Sequence, residues 1–194
     1  MTLRMKIVVA SDIHGINASL RSLLAVLGDP VILSPWPEGG CPFASEEDAV
    51  HAFHAKNGLR SYAQKIADVV EDQPAFLIGF SVGATSLWHY IASQRCHVQS
   101  RAFLYYGSRI RDAVGLIPRC PATVVFAEHE PSFSPASVAA SIAGPGVACS
   151  VIENTHHGFM NPSSRHYRLD IAGRQLELLR SATEEGATTQ VTGG

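Results

Sequence analysis

The chain has 194 residues, 46% of them hydrophobic and 16% charged, with a formal charge of −2. A chain of that length suits one domain able to bury about 70% of its unfolded surface, so neither a disulfide scaffold nor a structural metal is required. The charge is spread without a basic run, which speaks against nucleic acid or an anionic membrane as principal partner.

The first apolar run, residues 7–10 (IVVA), follows Met5-Lys6 and ends at Ser11-Asp12. It reads as a buried strand and is too short for a signal h-region or a membrane span, hence a cytoplasmic expectation. Leu20, Leu23, Leu24 and Leu27 then fall at i, i+3, i+4 and i+7, the spacing of one helix face. A second strand, 31–33 (VIL), runs into the Pro/Gly-rich loop 35–43 (PWPEGGCPF), placed to overhang a site. A polar, helix-like stretch holds His51 and His54, and Leu59, Tyr62, Ala63, Ile66, Ala67 and Val70 predict a helix of about three turns. Strand 75–78 (AFLI) precedes another helical stripe, Ala84, Leu87, Trp88 and Ile91. Further strands are expected at 102–105 (AFLY), 123–126 (TVVF) and 149–152 (CSVI), and a last helix from Leu169, Ala172, Leu176 and Leu179. Residues 184–194 (EEGATTQVTGG) are expected to be a loose tail after a domain of residues 1–183. Cys41, Cys96, Cys120 and Cys149 form no CxxC pair, so four reduced thiols, mostly packing, are expected. Strand–helix alternation of this kind predicts an α/β fold, a mainly parallel sheet covered on both faces, with the site at the carboxyl ends of its strands.

Chemistry concentrates at Gly79-Phe80-Ser81-Val82-Gly83, a G-x-S-x-G directly between a predicted strand and a predicted helix. That context is the nucleophile elbow, a turn tight enough to need glycines on both sides and to project the serine at a helix N-terminus. A serine hydroxyl needs a base, and the base an orienting acid; in folds that carry this elbow the chain order is Ser, acid, His. After the 123–126 strand come Glu128-His129-Glu130, and after the 149–152 strand His156-His157-Gly158-Phe159. Either glutamate could point toward the histidine if the extended period continues. His89 reads as structural, like His51 and His54, and His97, His129 and His166 as surface residues.

Over residues 5–180 these motifs resemble the dienelactone hydrolase family of small α/β-hydrolases. The resemblance rests on Gly79–Gly83, on Glu130-Pro131, on His157-Gly158-Phe159 and on Tyr105-Tyr106-Gly107. Asp12-Ile13-His14-Gly15-Ile16-Asn17 is similar to the family's first loop. It implies the α/β-hydrolase fold with minimal or no lid, catalytic Ser81, Glu130 and His157, and an oxyanion hole from the Ile13 and Val82 N–H groups. It also implies a serine esterase that cleaves a small-molecule ester, lactone or thioester through an acyl-enzyme, with no cofactor and no metal. The departures are Ser81 where dienelactone hydrolases proper use cysteine, glutamate where the acid is usually aspartate, and His14 where an aromatic residue is frequent. His14, Trp36, Tyr106 and Arg109 are candidate substrate contacts, with Arg111 beside Arg109 suited to an anionic group. Monomer and homodimer are both open.

Two other readings compete. Asp12-Ile13-His14-Gly15 matches the D-x-H-G opening of a calcineurin-like metallophosphoesterase, and an Asp and a His two apart can ligate a divalent metal. The further ligands fail: Gly28-Asp29 is followed by Pro30-Val31-Ile32, and no Gly-Asn-His segment exists. A non-catalytic α/β-hydrolase homologue is the third reading.

Overall fold

The computed structural model describes residues 5–188. Six strands form one sheet: β1 (Lys6–Ala10), β2 (Val31–Leu33), β3 (Ala75–Phe80), β4 (Arg101–Tyr105), β5 (Ala122–His129) and β6 (Val147–His156). All neighbours pair in parallel, in the order β2-β1-β3-β4-β5-β6. The direction of winding reverses between β1 and β3, the switch point at which open α/β sheets place their ligands.

Strand periodicity sorts the core into two layers. Ile7, Val9, Phe76, Ile78, Phe80 and Val125 face one side of the sheet, packing with Leu24, Leu27, Ile171, Ala172 and Leu179. Val8, Ala10, Leu77, Leu104 and Val124 face the other side, packing with Phe53, Tyr62, Ile66, Leu87 and Trp88. Burial on both faces is why the strands are written as near-continuous apolar runs. The helices that cover them are α1 (Ala18–Leu24), α2 (Glu46–Ala55), α3 (Gly58–Val70), α4 (Val82–Ile91), α5 (Pro135–Ile142) and α6 (Leu169–Thr188). α1 is capped by Asn17, whose side chain accepts from the Leu20 N–H, and it tightens into a 3₁₀ turn at Ala25–Leu27.

Four expectations change. β5 and β6 run beyond their apolar cores, to His129 and His156. α5 carries no strong apolar stripe but has a local start signal: the Ser134 hydroxyl caps the Ser137 N–H, and Pro135 opens the helix. In α6 the buried residues include Ile171, Ala172 and Leu179, while Leu169 is exposed. α6 also continues through the first part of the expected tail, to Thr188, with Arg180 bridging Glu177 and Glu184 on one face. Residues 189–194 of that tail lie outside the described residues. All four cysteines are free thiols, and Cys96 and Cys120, distant in sequence, are buried in the same core cluster. Among the described residues no helix is long and apolar enough to cross a membrane.

Candidate active site

The carboxyl ends of five strands converge on one open cleft of about 1140 Å³. β1 delivers Asp12, Ile13 and His14; β3 delivers Ser81; β4, Tyr106; β5, Glu128 to Glu130; and β6, His156 and His157.

Ser81 sits at φ 53°, ψ −114°, a backbone conformation that non-glycine residues adopt only when the surroundings enforce it. The enforcement is visible on both sides. The Ser81 N–H donates to Tyr105 O at 3.0 Å, and the Thr85 N–H donates back to Ser81 O at 3.0 Å, closing the first turn of α4. A Cβ on Gly83 would stand 2.2 Å from Ala10 O and 2.5 Å from Ser11 O, so only glycine lets α4 approach the end of β1 this closely. Val82 is the first residue of α4, where a backbone N–H has no acceptor within the helix. Both Val82 and Ile13 border the cleft.

Ser81 Oγ lies 2.8 Å from His157 Nε2, and His157 Nδ1 lies 2.8 Å from Glu130 Oε1. The Glu130 side chain is 3% exposed, and His157 reaches the cleft with 32%. Of the two glutamates, Glu130 therefore meets the imidazole. Glu128 instead accepts from the Asn154 N–H at 2.7 Å and lies 3.4 Å from His129 Nε2, on the exposed side. The cause is a register slip: from the Ala127–Ile152 pair to the His129–His156 pair, β5 advances two residues and β6 four. The surplus on β6 includes Asn154 at φ 56°. Such a bulge re-aims the residues beyond it, which an uninterrupted period of two would not. His156 turns away from Ser81 and stacks between His129 and His166, with ring centroids 4.7 and 4.4 Å away.

Among the candidate substrate contacts, His14, Tyr106 and Arg109 line the cleft. Tyr106 is buried, at φ 40°, with its ring edge-on to His157 at 5.1 Å and to Phe159 at 5.1 Å. Arg109 pairs with Asp112 at 2.9 Å, and Arg111 lies over the Phe133 ring. His14 Nε2 is 3.2 Å from Glu46 Oε2 at the start of α2; this contact raises the imidazole above its ordinary value and lowers the carboxylate. Trp36 is a correction. It is 7% exposed, packs on Phe43 and Phe53, and gives its indole N–H to Ile13 O at 2.7 Å. A buried indole finds a hydrogen-bond partner, and here that partner lies behind the first loop rather than in the cleft. The loop after β2 thus buttresses Ile13 from behind. Missed in the sequence were the cleft positions of His54, His129, His166 and Arg165, each of which reads in isolation as a structural or solvated residue.

Asp12 and His14 are engaged by other side chains and backbone groups. The Asp12 carboxylate is taken by the His14 N–H and Asn161 Nδ2, and His14 by Glu46. Among the described residues no group of three or more His, Cys, Asp and Glu is disposed to hold a metal ion.

A six-stranded parallel sheet, helices on both faces and a strained serine at the turn into α4 define the α/β-hydrolase fold. No protein-family model matches the chain. It is 26% identical over 200 residues to YczH of Bacillus subtilis (strain 168), an alignment spanning 94% of each chain. A Klebsiella pneumoniae protein provisionally named a dienelactone hydrolase superposes with a TM-score of 0.68, at 16% identity, covering 92% of this chain and 85% of that one. The dienelactone hydrolase-like promiscuous phosphotriesterase P91 from metagenomic libraries gives 0.65 at 15% identity, covering 94% and 86%. A cold-adapted esterase from an Arctic intertidal metagenomic library gives 0.57 at 15% identity, covering 91% and 82%. In fold the chain resembles the dienelactone hydrolases.

Proposed function

We propose that the protein is a serine hydrolase that cleaves an ester, lactone or thioester of a small molecule. The observation that carries the reading is the unbroken line from Ser81 Oγ through the His157 ring to the buried Glu130 carboxylate, beginning at a strained elbow. His157 Nε2 takes the Ser81 proton as Oγ bonds to the substrate carbonyl carbon. The charge that develops on the carbonyl oxygen faces the N–H groups of Val82 and Ile13, at the positive end of α4. As the tetrahedral intermediate collapses, the imidazolium returns the proton to the leaving oxygen or sulfur, and the acyl group stays on Ser81. Water then enters and bonds to the acyl carbon while His157 takes its proton; as the carbon–Oγ bond breaks, the imidazolium returns that proton to Ser81 Oγ and the acid is released. Glu130 holds Nδ1 protonated, leaves Nε2 free to act as base, and stabilises the imidazolium.

A fluorophosphonate probe is the direct test. The wild-type chain is expected to be labelled at Ser81 and to turn over short-chain aryl esters, whereas Ser81→Ala takes no label and loses activity by about 10⁴-fold or more. A wild-type protein that takes no label and hydrolyses no ester or lactone in a broad panel would be the non-catalytic homologue instead.

A further inference from the structure

Asp12 stands between the two loops that this chemistry needs. It directly precedes Ile13, and its two carboxylate oxygens serve different partners. Oδ1 accepts from the His14 backbone N–H at 2.9 Å, fixing the turn that carries the Ile13 amide. Oδ2 accepts from Asn161 Nδ2 at 2.8 Å. Asn161 is itself set against the histidine loop: its N–H donates to Gly158 O at 2.8 Å, and its Oδ1 accepts from the Ser163 N–H at 2.8 Å. One side chain therefore joins the loop after β1 to the loop after β6.

The join is kept at a cost. Burial pushes the Asp12 carboxyl above its ordinary value, although its hydrogen bonds and the nearby His14 and His157 pull the other way. The titratable groups that face it are His14 on its own loop, His157 after β6, Tyr106 after β4 and Tyr62 on α3. A carboxylate drawn partly out of water is a poor way to gain stability, since an apolar side chain of similar volume often does as well or better. What it supplies instead is a fixed geometry between two backbone segments.

We propose that Asp12 is a positioning residue whose bridge to Asn161 holds the Ile13 amide and the His157 ring in register around the substrate carbonyl. The inference rests on the reading of Ser81 and His157 given above. It makes the reaction sensitive to the polarity of a pair that borders the cleft yet hydrogen-bonds to neither Ser81 nor His157. In Asp12→Asn the new amide can still accept from the His14 N–H but turns a donor toward Asn161 Nδ2. Flipping the Asn161 amide does not repair this, because its nitrogen would then face the Ser163 N–H. Exchanging the two residues does repair it: a carboxylate at position 161 accepts from Ser163 and from the amide at position 12.

The experiment measures kcat and KM on a short-chain aryl ester, the rate of fluorophosphonate labelling, and thermal unfolding for each variant. Asp12→Asn and Asn161→Ala are each expected to lower kcat about 10- to 100-fold with KM within about threefold, the signature of misplacement rather than lost binding. The exchange variant Asp12→Asn/Asn161→Asp is expected to recover most of that loss. Proton uptake at Asp12 weakens the bridge, so the acid limb of kcat against pH contains an ionisation that Asp12→Asn lacks. A folded Asp12→Asn or Asn161→Ala variant with wild-type kcat overturns the proposal, as does an exchange variant no better than Asp12→Asn alone. If Asp12→Asn does not fold, Asn161→Ala decides, since it leaves the carboxylate in place. A wild-type chain that neither labels nor hydrolyses overturns the reading of the site and this inference with it; a labelled wild type with an equally labelled Asp12→Asn overturns this inference alone.

Discussion

The turn between β3 and α4 and the ends of β5 and β6 supply the two halves of the candidate site, and they are built by different means. The turn is local. Ser81 is held by the Thr85 N–H within its own turn, by Tyr105 O on the adjoining strand, and by a glycine that lets α4 meet β1 at backbone contact distance, so five consecutive residues suffice to mark it in the sequence. The ends of β5 and β6 are a matter of pairing. Glu130 meets His157 because β6 gains two residues on β5 just before the cleft, and nothing in either strand alone announces it. A site can thus have a nucleophile specified by a motif and an acid–base pair specified by register.

The sharpest way to break that comparison is at the histidines. His157→Ala is expected to abolish ester turnover, a loss of about 10⁴-fold or more, as removal of a triad base does. His156→Ala should stay within about tenfold, 1.4 kcal/mol of barrier, because its ring stacks away from Ser81. The reverse result, by steady-state assay, would show the register displaced by one residue. Next in size come the glutamates. Glu130→Gln should lose up to about 10⁴-fold in kcat with little change in KM, as an acid that orients the base does. Glu128→Gln keeps a carbonyl oxygen able to accept from the Asn154 N–H and is expected to cost less than about tenfold. A crippled Glu128→Gln would mean that the bulge is not what selects the acid.

On the other half, Gly83→Ala drives a Cβ into the Ala10 and Ser11 carbonyls. Strain of this kind costs about 1–3 kcal/mol, read as a lower urea midpoint, and turnover should fall with it because the elbow itself must shift. The smallest effect concerns His14 and Glu46, which tie the loop after β1 to α2. His14 is raised, so its contribution is fully present below its ordinary value of 6.5 and is lost as pH rises through the raised one. Glu46 is lowered, so its contribution is present above its ordinary 4.5 and is lost as pH falls through the lowered one. Glu46→Gln should therefore be slightly less stable than wild type near pH 5.5, by at most about 1 kcal/mol for so exposed a pair, and indistinguishable near pH 9. A difference that grows with pH would contradict the pairing.

What was legible in the sequence follows the same division. β1, β3, β4 and β5 are recognisable because burial leaves an unbroken apolar run, β2 and β6 by short apolar runs although they are edge strands and less buried, and α3 and α4 because each presents one apolar stripe. The extensions of β5 and β6 were hidden, since past the edge of the covering helices a strand is free to be polar, as in Glu128, His129, Glu153 and Asn154. α5 escaped because its stripe is weak and its start lies in Ser134-Pro135 alone. Trp36 was placed in the pocket since an aromatic in a Pro/Gly-rich loop suggests a ligand contact; its indole partner, Ile13 O, comes from a loop 23 positions away. Asp12 reads in sequence as a loop residue for the same reason, its side-chain partner Asn161 lying 149 positions away.

The strand order has a consequence in time. From β3 onward each new strand joins the outer edge of the one before, so the sheet can grow in the order in which the chain is synthesised. Ser81 follows the third strand and His157 the sixth. A nascent chain can hold a folded elbow while still lacking the imidazole that would arm it. On the proposed reading of the site, reactivity would be withheld until the last strand has docked, and a truncated or stalled chain would be left with an ordinary, unreactive serine.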